Sequence, residues 1–147
     1  MDIKKTANLL LNFAIKRLAE IFGIIILISG SLLLVALITY SPEDPNFIFP
    51  DNTDIKNLLG FQGSFISDLF FQSVGLVSYL ISFTFILTGI NMVRLKKFFL
   101  IIENIFFTTI YCIFGTLFFN YFYADAFTLY INGNGGFVGN YFNQTFL

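Results

Sequence analysis

The chain has 147 residues, 56% of them hydrophobic and only 12% charged, with a net charge of −1. That is enough for one domain, but at a mean hydropathy of +0.80 it is too apolar for a free water-soluble globule. Its eight Lys plus Arg are too few to coat a phosphate backbone, so no nucleic acid is expected to bind this chain itself. The absence of His and a lone cysteine, Cys112, exclude histidine catalysis, an internal disulfide and thiolate metal clusters. Neither a phosphate-binding G-x-x-x-x-G-K-[ST] loop nor a G-x-S-x-G or H-E-x-x-H motif occurs. No catalytic residue, cofactor or metal ligand is assigned.

Residues 1–20 read as an amphipathic segment. Lys5, Asn8, Asn12, Lys16 and Glu20 fall on one helical face, with Ile3, Leu10, Ala14 and Leu18 largely on others. Two readings fit: a helix lying at the membrane interface, or a first span that begins early. Residues 21–40 carry no charge and no proline and read as the first transmembrane helix. Residues 41–69 read as an external loop, opened by Pro42 and shaped by Ser41, Pro42, Asp44 and Pro45 into an acidic knob. Residues 70–93 form the second expected span, 94–97 a short turn, and 98–122 the third span. At 1.5 Å per residue, spans of 20, 24 and 25 residues reach about 30–37 Å, enough for the roughly 30 Å hydrocarbon core.

Orientation follows from the cations. Lys4, Lys5, Lys16, Arg17, Arg94, Lys96 and Lys97 lie on one side, and the loop opposite holds only Lys56 among five acids. The side rich in Lys and Arg is read as cytoplasmic, with the N-terminus in. Within the spans, Gly75, Ser78, Ser82 and Gly89 share one helical face, as do Asn104, Thr108, Cys112 and Gly115, and Gly23 stacks with Gly30. Such small-residue strips are read as packing seams. Glu103, close to the start of the third span, is read as an interfacial anchor paired with Lys96, Lys97 or the N-terminal lysines.

Residues 123–134 read as a second external loop. An offset of 76 relates Gly60-Phe61-Gln62-Gly63 to Gly136-Phe137-Val138-Gly139, Phe65 to Tyr141 and Phe70 to Phe146. This suggests a tandem hairpin repeat. The second glycine pair should open a fourth span, yet 135–147 is too short to cross; a half-helix dipping into the outer face or a truncated span both fit, and truncation is favoured. The expected fold is all-α: an integral membrane bundle of three spans and an incomplete fourth.

The run Tyr40-Ser41-Pro42-Glu43-Asp44-Pro45-Asn46-Phe47 directly after a span resembles the Y-S-P-x-D-P signature of the FtsK/SpoIIIE DNA translocases. Gly60-x-x-Gly63 leading to Asp68 and Gly75 resembles the approach to that family's second span, and Gly136 to Gly139 the approach to its fourth. The resemblance implies a four-helix inner-membrane domain that precedes a linker and an ATPase motor, both absent here. It implies a membrane anchor and interaction domain at the division septum, with the lipid bilayer, copies of itself and other division proteins as partners. In that reading Ser41, Pro42, Asp44 and Pro45 shape the outer surface presented to partners, and Gly60, Gly63 and Gly75 let the returning segment pack. The rival expectation is a small transporter or channel subunit with a polar cavity around Glu103, Asn104 and Thr108.

Overall fold

A computed structural model describes residues 3–45, 54–123 and 132–146. The described residues form five α-helices: α1 (Ile3–Ile38), α2 (Gly60–Val74), α3 (Ser78–Leu95), α4 (Leu100–Phe122) and α5 (Gly136–Phe146), with a 3-10 turn at Gly75–Val77 between α2 and α3. No strand occurs among them. Three stretches are long and apolar enough to cross a membrane: residues 7–38, 60–95 and 100–122. The molecule is an all-α membrane bundle.

The first correction concerns α1. It runs unbroken through the expected boundary at residue 20, so the amphipathic segment and the first span are one helix of 36 residues, about 54 Å long. Neither proline nor glycine interrupts residues 3–22, and Ala, Leu and Lys all favour helix. The second correction concerns the loop 41–69. Its last ten residues are already helical, because Gly60 starts α2 and the helix continues through Gly63 until Gly75. The expected second span is therefore a broken helix, α2 and α3, rather than one rod.

α1 and α3 run antiparallel in close contact. A Cβ at Gly89 would lie 2.6 Å from the Gly23 carbonyl oxygen, and one at Gly30 would lie 2.7 Å from the Phe85 Cβ. The small-residue strips expected from sequence thus face each other, letting the backbones approach. Gly89→Val should force α1 and α3 apart, an overpacking of about 1–3 kcal/mol. The half-buried Cys112 packs against the core, so its heat-induced reaction with a thiol dye in detergent reads this out as a lowered midpoint.

The core of Leu33, Leu37, Phe71 and Ile81 joins α1, α2 and α3, with Tyr40, Tyr79 and Tyr111 against it. α3 and α4 are tied by polar side chains instead: Asn104 Nδ2 donates to Thr88 Oγ1 at 2.8 Å, and the Thr84 and Tyr111 hydroxyls lie 2.8 Å apart. Thr116 is the one buried residue of α4. The rest of that helix turns Phe106, Phe107, Phe114 and Phe118 outward, as a helix solvated by lipid can.

At the basic end α3 stops at Leu95, where Lys96 adopts a left-handed cap (φ 54°). Glu20 binds two cations there, Arg17 at 2.5 Å and Lys96 at 2.8 Å. The third correction concerns one of the partners expected for Glu103: Lys96 pairs with Glu20 of α1 instead, and Glu103 is exposed on α4.

Candidate functional site

The residues singled out by sequence gather at the opposite, acidic end. α1 ends at Ile38, and Pro42 bars its continuation. The chain then turns, with Asp44 N donating to Ser41 O at 3.2 Å. This turn brings the Asp44 carboxylate inward, where it accepts Lys56 N on one oxygen and Asn57 N on the other, both at 2.8 Å. Asp44 is 4% exposed and Pro45 is buried as well. The sequence reading placed these two residues on the surface presented to partners; the structure places them inside a clasp. A carboxylate with few waters needs such donors. Pro42 and Glu43 remain exposed, Ser41 half-buried. Asn46 and Phe47 lie outside the described residues.

Asn57 carries the clasp onward. Its Nδ2 donates to Ala36 O at 2.9 Å and its Oδ1 accepts Leu59 N at 3.0 Å. A Cβ at Gly63 would overlap that same Asn57 side chain. Ser64 Oγ donates to Pro45 O at 3.1 Å. Asp68, placed in the loop by sequence, sits in α2 and is buried, and the Tyr40 hydroxyl donates to it at 3.0 Å. Tyr79 OH donates to Leu37 O at 3.2 Å, covering a carbonyl freed at the end of α1. Lys56 pairs with Glu43 in full solvent and holds its carboxyl below the usual carboxylate range. Such a pair strengthens the fold only above that range and loses its contribution as pH falls.

A second fastening joins α2–α3 to α5. At Gly75 (φ 59°, ψ −140°) the chain breaks helix, and Leu76 N donates to Asn134 O at 3.0 Å. Gly136 lies backbone to backbone on it: a Cβ there would be 2.6 Å from Gly75 N. Asn132 Nδ2 reaches the Gln72 carbonyl and side chain at 3.2 and 3.1 Å. Asn140 donates to Asn132 O at 2.8 Å and accepts from Asn120. Gly139 lets α5 approach α4, its Cβ position 2.7 Å from Thr116 O.

The offset of 76 recurs in this geometry. Gly60 N donates to Asn57 O and Gly136 N to Gly133 O, and the two glycines have φ of 65° and 64°. The rings of Phe61 and Phe65 stack at 20°, those of Phe137 and Tyr141 at 23°. Each glycine pair opens a short helix at the acidic end. The side chain of Phe146, expected partner position of Phe70, is outside the described set.

Sequence reading missed Asn57, Asn132, Asn134 and Asn140. The available signal was the density of Asn beside Gly in 132–140, a turn composition. The rival cavity is a side-open crevice of about 300 Å³ lined by Ile26, Ile81, Thr88, Ile101, Asn104 and Thr108. Asn104 bonds Thr88, and Thr108 bonds its own helix at Asn104 O. Glu103 does not line it. Among the described residues no group of three or more His, Cys, Asp or Glu is placed to hold a metal ion.

Fold and site together define a multi-pass helical membrane domain whose spans are fastened at one end by two polar clasps. Residues 15–147 match the family described as the 4TM region of DNA translocase FtsK/SpoIIIE. The chain belongs to that family, as a multi-pass membrane domain. It is similar to DNA translocase FtsK of Rhizobium meliloti (30% identical over 78 residues, 53% of this chain), of Caulobacter vibrioides (35% over 75 residues, 51%) and of Rickettsia prowazekii (29% over 72 residues, 49%). The matched stretch spans about a tenth of the length of these relatives, 9%, 9% and 10% in turn. No solved structure matches.

Proposed function

We propose that this domain anchors a cell-division and chromosome-segregation DNA translocase in the inner membrane and serves as a docking surface for other division membrane proteins and for copies of itself. The ATPase motor belongs to other parts of such a protein, and this domain does no chemistry of its own. The N-terminus and the turn at 96–99 face the cytoplasm; the clasped end faces out. The observation that carries the reading is the family match over residues 15–147. The basic residues at one end support the orientation.

The test is a fluorescent fusion of the chain imaged in dividing cells. Enrichment at midcell is expected; a stable fusion spread evenly over the envelope overturns the septal role. Glu103→Gln, at an exposed position of α4, should leave that pattern unchanged. Were the chain instead a transporter using Glu103, the same substitution would abolish flux in liposomes.

A further inference from the structure

Among the described residues, the side chains from Ala7 to Leu18 of α1 are not covered by the bundle. Every residue from Ala7 to Leu18 is exposed, and Ala19 is the first buried one. Leu9, Leu10, Leu11, Phe13, Ile15 and Leu18 are 44–66% exposed. Within the hydrocarbon core such exposure means contact with lipid. These residues, however, lie beyond the Arg17–Glu20–Lys96 cluster and beyond the end of α3, at the basic end of the bundle.

Their arrangement is two-sided. At 100° per residue, Asn8, Asn12 and Lys16 continue the stripe that carries Ala19, Gly23 and Gly30 further along, the side covered by α3. Ala7, Leu10, Leu11, Ala14 and Leu18 continue the opposite stripe, that of Ile21, Ile25, Ile28 and Leu32, which faces lipid. Leu9 and Ile15 flank the polar side, and Arg17 borders the apolar one. An arm that folds down about Arg17–Ala19, away from α3, meets bilayer rather than protein and meets it with its apolar side.

Charge selects the occupant. The arm carries Lys4, Lys5, Lys16 and Arg17, and Arg94, Lys96 and Lys97 stand at the same end, against Asp2, Glu20 and Glu103. A second copy would bring the same excess of cations, whereas an anionic lipid surface is complementary. We propose that residues 3–18 are an amphipathic arm that bends away from α3 to dock on anionic phospholipid headgroups, its apolar stripe at the acyl boundary and its lysines among the phosphates. The arm adds a lipid-composition sensor to the anchor and does not depend on the septal role.

The test uses the full chain with Cys112→Ala and a single spin label at Leu10→Cys or Asn12→Cys. It is reconstituted in phosphatidylcholine alone or in an equimolar mixture with phosphatidylglycerol. In the mixed vesicles, label 10 should become shielded from a water-soluble nickel chelate and open to oxygen, while label 12 stays chelate-accessible. In phosphatidylcholine both should remain chelate-accessible. Lys5→Gln with Lys16→Gln should lower the docked-to-undocked ratio roughly 25-fold, about fivefold per lysine. Accessible labels in both vesicles overturn the proposal, as does equal shielding in both. Shielding of label 10 with strong spin–spin coupling between copies assigns the stripe to a second copy and equally overturns it.

Discussion

Gly75→Ala is expected to unfasten α5 from the rest of the bundle, while Gly60→Ala is nearly tolerated. Both glycines have positive φ, 59° and 65°. At Gly60 a Cβ meets nothing within 4 Å, so the change carries only the left-handed penalty of about 1–2 kcal/mol. At Gly75 the backbone (ψ −140°) lies in a region that only glycine populates readily, worth about 1–3 kcal/mol of strain for alanine. Its Cβ would also fall on the Asn134 carbonyl oxygen. Relief requires the 132–136 segment to move away, breaking the bond from Leu76 N to Asn134 O, about 1 kcal/mol more. The sum, roughly 2–4 kcal/mol, is a large share of a domain's usual 5–15 kcal/mol. Dye reaction at Cys112 during a thermal ramp in mild detergent measures it. Equal midpoints for the two variants would show that the Gly75–Asn134 contact contributes nothing.

Asp44→Ala should release the loop between α1 and α2. The carboxylate is the acceptor for two backbone donors, Lys56 N and Asn57 N. Hydrogen bonds to a charged acceptor contribute about 1.5–3 kcal/mol each, and removing one partner leaves a donor unmatched. A loss of about 3–6 kcal/mol is expected for alanine and about half of that for Asp44→Asn, which keeps one acceptor oxygen. Glu43→Gln, one residue earlier, should leave stability unchanged, because the Glu43–Lys56 pair is fully solvated. Protease added to the clasped side of reconstituted vesicles should cut the Asp44→Ala loop first. Comparable cutting of Glu43→Gln and Asp44→Ala would remove the clasp from the account.

The contrast between neighbouring acids shows where sequence reasoning stopped. Glu43 and Asp44 look alike in the string Ser41-Pro42-Glu43-Asp44-Pro45, and both read as surface. Only the turn in three dimensions sends one into solvent and the other onto the amides at 56 and 57, residues whose position depends on where α2 begins. The start of α2 was itself hidden. Asp68 looked like a loop residue because a charge in an apolar run is costly, yet the Tyr40 hydroxyl 28 positions earlier satisfies it. The repeat, by contrast, was visible as four glycines, and the structure returns it as matching turns and matching ring stacks.

Charge and hydropathy along the chain were enough to settle the solvent, the helical class and the number of long apolar stretches, because in lipid a segment must satisfy its own backbone and exclude charge, and both demands are local. The small-residue faces of α1 and α3 were legible for the same reason, since a helix writes its packing stripe at a fixed period. The pairing of Glu20 with Lys96, the inward turn of Asp44 and the break at Gly75 against Asn134 were decided by tertiary structure alone. Each joins residues far apart in the chain, and which partner a polar group finds depends on the relative placement of helices that no local period encodes.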